Sequence, residues 1–360
     1  MNNPFSETYS EARAKFLALA SDREAQVHSY VHPDQKGAEG EELAMDIAVF
    51  GDPAAKKTLL LVSGTHGQEG FTGSAIQIAF IRDHEIQDGI NVVALHALNP
   101  WGFSHLSRSD ENNVDTNRNF RDFSKLPPAS EINVEVQKVL CPRDWIDETI
   151  DWSAAKTALI EKYGGQAFVT ALTGGQTDVP TGLNYGGKAA SWSNRTVVRA
   201  LPEILCHTKK LAFVEWHTGF GASGELCHVC LDPDSEVRRR VFEWLGEEAS
   251  HDMDTVFADL GGETPNYVGP FSLWLQTALV ATDCAGLVIE VGTYDIITMA
   301  NGVRMDRWLK FGKGKSKLPR DAMRREMLEY FYPGNPEWRV LALERGCDAQ
   351  AKLMNGLRTW

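Results

Sequence analysis

His66 and Glu69 stand three residues apart in the turn Gly64-Thr65-His66-Gly67-Gln68-Glu69-Gly70. At that spacing an imidazole and a carboxylate converge on one point once the turn begins to coil. A histidine nitrogen with a carboxylate oxygen is a common ligand pair for zinc. His-x-x-Glu alone is a loose pattern, and its weight comes from partners further along the chain. His66, His217 and Glu290 each lie just past the carboxyl end of an apolar run: Leu59–Val62, Leu211–Val214 and Gly286–Ile289. Parallel strands bring their carboxyl ends to one edge of an open α/β sheet, and ligands bind there. His66, Glu69 and His217 would then supply three protein ligands and leave a fourth position for water, as in a catalytic zinc site. With Glu69 used as a ligand, a base must come from elsewhere, and Glu290 fills that vacancy. Glu215, two residues before His217, shares its face of a strand. It either orients the imidazole or serves as a rim carboxylate with another partner.

The elements that must position these groups follow from periodicity. Tyr9, Ala12, Phe16 and Leu19 predict an amphipathic helix over 7–20, and 32–42 reads as a loop. Strands are expected over 43–49, 58–63 and 92–95, with a helix from 71 to about 82. This alternation points to an α/β fold, a largely parallel sheet covered on both faces. The stretch 99–123 is polar and irregular, and rich in anion-binding groups such as Arg108, Asn117, Arg118 and Arg121. A helix near 147–163 is closed by Gly164-Gly165, and 173–192 is a long Gly-rich loop. Helix 193–207, a strand at 211–214, a hairpin return through 225–231, helix 234–249 and a strand at 286–289 follow. The run 310–320 reads as a solvated loop, and helices near 320–331 and 347–357 finish the chain.

Composition narrows the function. The chain has 360 residues, enough for a sizeable core, and a net charge of −13. That charge argues against a nucleic-acid or anionic-membrane partner, and no apolar run approaches the length that spans a bilayer. The first residues lack the basic start and apolar stretch of a signal peptide. Six cysteines without the density of a disulfide framework fit reduced thiols and a cytoplasmic setting. Cys227-His228-Val229-Cys230 has zinc-like spacing but no second pair, so buried thiols on a strand are expected there.

Taken together, His66-Gly67-Gln68-Glu69, Val114-Asp115-Thr116-Asn117-Arg118-Asn119-Phe120, His217-Thr218-Gly219 and Glu290-Val291-Gly292-Thr293 resemble the zinc carboxypeptidase family, in the family's order. Asn99-Pro100-Trp101-Gly102 looks like its Asn-Pro-Asp-Gly, with Trp101 in place of the usual Asp. The set looks most like a bacterial branch, and is similar also to the aspartoacylase and succinylglutamate desuccinylase relatives. The resemblance implies one domain over 1–360, with a motif-bearing core at 43–295 between helical additions, and a single mixed, mostly parallel sheet. It implies one Zn2+ on His66, Glu69 and His217, with Glu290 as general base. Arg108 matches the arginine that polarises the scissile carbonyl, and Asn117 with Arg118 the pair that holds a terminal carboxylate. The tyrosine that closes over substrate cannot be aligned: Tyr267 is a candidate by order and Tyr185 by its Gly-rich loop. The implied activity is carboxypeptidase-type cleavage of an amide bond beside a free carboxylate, in a peptide substrate. N-acyl amino-acid deacylation is the alternative, and a non-catalytic binding module the third reading, which an intact Glu290 opposes.

Overall fold

The computed structural model describes residues 3–145, 152–246, 265–279 and 281–360. In chain order its elements are α1 (Tyr9–Asp22), β1 (Gln26–Lys36), β2 (Glu42–Phe50), β3 (Lys57–Val62), α2 (Gly70–Asp83), β4 (Ile90–His96), α3 (Pro100–His105), α4 (Glu131–Leu140), α5 (Trp152–Tyr163), α6 (Gly165–Thr173) and α7 (Trp192–Ile204). There follow β5 (Lys210–Gly219), β6 (Leu226–Val229), α8 (Ser235–Leu245), α9 (Phe271–Ala278), β7 (Asp283–Gly292), α10 (Ile296–Phe311), α11 (Arg320–Phe331) and α12 (Pro336–Thr359). The strands form one seven-stranded mixed sheet in the order β1-β2-β4-β3-β5-β7-β6. Its four central strands, β4, β3, β5 and β7, are parallel. β1 and β2 extend one edge and β6 the other, all antiparallel.

Both faces are covered, so the central strands carry unbroken apolar runs, Leu59–Val62, Val92–Leu95, Leu211–Val214 and Leu287–Ile289. On β3, Leu59 and Leu61 enter a core shared with α1, α2 and α12, while Leu60 and Val62 enter a second core with α7 and α9. All of Gly70–Ile81 in α2 is buried, because that helix lies between the sheet and the outer helices α1 and α12. Two smaller apolar clusters stand apart from the sheet. One joins α4, α5 and α6, and the other joins α10 and α11 around Trp145 and Trp308.

Register sets the functional edge. Val62, the last residue of β3, pairs with Glu215, and two residues further His217 pairs with Glu290 across β5 and β7. His217 and Glu290 therefore lie within the last turns of their strands, side by side, rather than beyond them. His66 stands four residues past β3, at the start of a 3-10 turn, Gly67–Glu69, that runs into α2.

Several elements differ from the sequence expectation. Residues 32–36 belong to β1, an edge strand in which only His32 is buried, so its sequence carries no period-two signal. β6 does not return on β5. It pairs with β7, because β5 is already flanked by β3 and β7. Gly164, at φ 88, ends α5 but at once caps α6, which was not expected. α3 and α4 were also unforeseen, as was α10, whose buried residues include Asn301, Gly302, Arg304 and Asp306 and so break the apolar pattern. Of the expected helices, 147–151 and 247–249 lie outside the described residues.

One close approach fixes the turn that carries His66. Asn99 caps α3 by accepting from the Gly102 N–H at 2.9 Å, and Pro100 occupies the first helical position. The backbone of Gly102 then presses on Gly67, where an added Cβ would lie 1.8 Å from the Gly102 carbonyl carbon. Backbone cannot yield there as a side chain could. Gly67→Ala should lower unfolding stability by about 1–3 kcal/mol, read as a reduced urea midpoint; an unchanged midpoint would mean that this packing is not tight.

Candidate metal centre

The donor atoms converge where the register and the turn bring them. His66 Nδ1 lies 3.0 Å from Glu69 Oε1 and 3.1 Å from His217 Nδ1, and His217 Nδ1 lies 3.0 Å from Glu69 Oε2. Among the described residues these are the one group of three or more metal-binding side chains whose donor atoms gather, all buried and within 4.8 Å of one another. Two ligand atoms bound tetrahedrally at the usual Zn–N and Zn–O lengths stand about 3.3 Å apart. The observed spacings match that figure closely, so the residues fit a small divalent cation.

Each imidazole is held from behind by a carboxylate. His66 Nε2 lies 3.2 Å from Asp115 Oδ1, and His217 Nε2 lies 3.1 Å from Glu215 Oε1. This carboxylate–imidazole relay fixes the ring and turns Nδ1 toward the metal position. Glu215 is itself oriented by the Thr65 hydroxyl at 2.9 Å, so of the two roles open to it, the structure places it behind His217. The sequence motif Val114–Phe120 contains Asp115 but assigns it no role. A carboxylate two residues before Asn117, in a stretch otherwise full of anion-binding groups, was the available signal.

The charges balance around this relay. Burial alone would raise Glu69, but His66 and His217 outweigh it and hold its carboxyl well below the usual range. Burial would likewise raise Asp115, yet Arg108 and His66 hold it well below its ordinary value. Burial pulls the His217 imidazole down, and the carboxylates of Glu215 and Glu69 more than reverse that, raising it to about 10. The cluster thus favours positive charge at the point where the three donors meet.

The centre forms one wall of a cavity of about 620 Å³, which is otherwise largely apolar. Glu290 lines it; burial pushes this carboxyl up to about 7, and Glu69 adds to the rise. The Phe220 N–H donates to its Oε2 at 3.5 Å. Arg108 reaches in from the polar stretch, donating from Nε to Asp115 at 3.1 Å and from Nη1 to Glu69 at 3.4 Å. Arg118 donates from Nε and Nη2 to the Thr173 carbonyl and lies 4.7 Å from the Tyr267 ring. No carboxylate pairs with Arg118 among the described residues. Asn117 accepts from the Phe271 N–H at 2.9 Å, and its amide nitrogen lies 3.5 Å from His217 Nε2.

The structure therefore brings His66, Glu69, His217, Glu290, Arg108, Asn117, Arg118 and Tyr267 to one cavity. Tyr185 is not among the residues that line it; it is buried, and its carbonyl accepts from the Asp115 N–H. Trp101 is not among them either, and stacks on His105 at 4.2 Å. Cys227 on β6 and Cys230, one residue past its end, are free, buried thiols.

A family model described as "Protein of unknown function (DUF2817)" matches residues 5–345. No curated protein matches. Among solved structures, bovine thrombin-activatable fibrinolysis inhibitor in complex with tick carboxypeptidase inhibitor aligns over 98% of this chain and 97% of its own, at 11% identity and a TM-score of 0.48. Carboxypeptidase A from Helicoverpa armigera aligns over 96% and 74%, at 13% identity and a TM-score of 0.46. A metallo-carboxypeptidase from Burkholderia cenocepacia aligns over 99% and 70%, at 9% identity and a TM-score of 0.46.

Removing a direct ligand and removing its support should differ in degree. His66→Ala or His217→Ala should lose most of the bound divalent metal after dialysis, by elemental analysis. Asp115→Asn should keep a site whose affinity, measured by chelator competition, is roughly 10–100-fold weaker. Full metal retention in both histidine variants would dismiss this donor set.

Proposed function

This chain belongs to the DUF2817 family, and we propose that it is a zinc-dependent hydrolase that cleaves an amide bond next to a free carboxylate, in the manner of a carboxypeptidase. One observation carries the reading. The buried His66–Glu69–His217 donors share a cavity with a carboxyl near neutral pKa, Glu290, and with Arg118, a guanidinium without a carboxylate partner among the described residues. A hydrolase of this class needs those three things and little else.

When bound, zinc supplies a Lewis acid and a water of lowered pKa. Asn117 and Arg118 grip the free carboxylate and set the scissile carbonyl beside the centre; a planar guanidinium fork suits a carboxylate. Glu290 accepts the proton of the attacking water and returns it to the leaving nitrogen, for which a pKa near the working pH is well suited. Arg108, fixed by Asp115 and by the Asp306 carboxylate on its backbone N–H, faces the oxyanion that develops on attack. Tyr267 covers the Arg118 guanidinium and closes that side of the cavity.

Two measurements test this. Glu290→Gln should keep its metal while turnover falls by about two to four orders of magnitude; near-normal turnover would move the base elsewhere. In the parent, a free-acid substrate should exceed its C-terminal amide in kcat/KM by about tenfold or more, and Arg118→Ala should abolish that preference chiefly through KM. Equal rates on acid and amide in the parent would sink the carboxylate-reading role.

A further inference from the structure

Two more cations line the cavity, Lys156 and Arg304, and the reaction above uses neither; of the two, Arg304 is the fully buried one. Arg304 lies on α10, five residues past Met299, hence about 7.5 Å further along the helix. Met299 itself reaches the metal side, its Cε 3.2 Å from where a Cβ on Gly219 would stand. Arg304 is 1% exposed, yet it lines the cavity. Its Nε donates to the Leu140 carbonyl at 2.9 Å, its Nη1 donates to Asn301, and its guanidinium lies 5.1 Å from the Trp145 ring.

Those contacts do not neutralise it. Leu140 ends α4, whose terminal carbonyls carry partial negative charge, and this accounts for the Nε bond. A guanidinium has five N–H donors, and only two are engaged by described residues. Among the described residues no Asp or Glu pairs with it; burial pulls it down to about 10, and Cys141 opposes that only in part. The acids on the cavity wall are committed elsewhere: Glu69 to two imidazoles and Arg108, Asp295 to the first turn of α10, Glu290 to the Phe220 N–H. A buried cation without a counter-ion is costly, and a charged ligand relieves that cost.

Resting on the hydrolase reading, we infer that Arg304 is a second anion subsite, and that the substrate's leaving residue is an acidic amino acid whose side-chain carboxylate it binds. Arg118 and Arg304 stand on the same wall. Arg118 holds the terminal carbonyl of α6 at Thr173, Arg304 that of α4 at Leu140, and the two helices pack together. Phe168, Leu172 and Leu183 line the cavity on the same side. Two cations on one apolar wall match two carboxylates joined by methylenes on a single fragment. The fragment that carries the α-carboxylate is the leaving amino acid. A peptide ending in Glu and an N-acyl glutamate present the same groups.

The test compares kcat/KM for blocked dipeptides ending in Glu, Gln and Leu, and for their N-acyl amino-acid counterparts, in the metal-loaded parent, Arg304→Gln and Arg304→Lys. The parent should prefer Glu over Gln by roughly 10–100-fold. Arg304→Gln should bring that ratio near one, and Arg304→Lys should keep part of it. A ratio within one preparation is insensitive to any loss of folded protein from weakening the α4 end. Calorimetric titration with N-acetylglutamate and N-acetylglutamine reads the subsite without turnover, and the parent should bind the first more tightly. Glu and Gln equal in the parent, or a preference untouched in Arg304→Gln, would overturn the subsite and leave the hydrolase standing. Hydrolysis of none of these substrates would overturn the hydrolase, and the titration would still decide the subsite.

Discussion

Three carboxylates, Glu69, Asp115 and Glu215, are buried within hydrogen-bond reach of two imidazoles, and the carboxyl edge of the sheet is arranged around keeping them there. Like charges so close in a poorly solvated place repel strongly unless each has a partner. Arg108 supplies one, bridging Asp115 and Glu69. The imidazoles lie against the rest, and the carboxylates of Glu215 and Glu69 raise the His217 imidazole to about 10. Its Nδ1 faces the point where a divalent cation fits. Metal and proton therefore compete for the same donors, as linkage between metal binding and ligand ionisation requires.

The backbone around the cluster is fixed accordingly. Paired neighbours on β5 and β7 set His217 beside Glu290, and no adjustment of side chains could achieve this if the register slipped by one. The Thr218 N–H donates to Glu69 at 3.2 Å, so the strand itself secures the carboxylate contributed by the turn. On the other side, the Gly67–Gly102 contact holds the turn against α3. The candidate donors, drawn from a strand and a turn, are thereby tied to the buried centre of the sheet.

The cavity has a different origin. Its apolar walls come largely from α4, α6 and α10, which pack in clusters of their own beyond the sheet. Arg118 and Arg304 are anchored on helix-terminal carbonyls, which satisfy part of each guanidinium without cancelling its charge. Anchoring of this kind fixes the plane of each guanidinium on the cavity wall.

His66, Glu69, His217 and Glu290 are legible in the sequence because the argument needs only local facts: residue type, spacing, and position at the end of an apolar run. The central strands β3, β4, β5 and β7 are legible for the same reason, since burial on both faces gives each an unbroken apolar run. Asp115 is not legible as a partner of His66, because 49 residues separate them and only folding makes them face one another. Glu215 is open to two roles until Thr65 and His217 close around it. Tyr267 and Tyr185 are equal on paper, and only Tyr267 lines the cavity. α10 escapes notice because its buried side carries Arg304 and Asp306, so the groups that make it interesting also erase its period. Sequence by itself determined which donor and carboxylate residues stand at the ends of apolar runs and which runs form the middle of the sheet. The tertiary structure alone decided which strand flanks β7, which carboxylate backs which imidazole, and which guanidinium groups have no ion-paired carboxylate among the described residues. Periodicity and residue type are local properties, whereas pairing and charge balance arise between segments far apart in the chain.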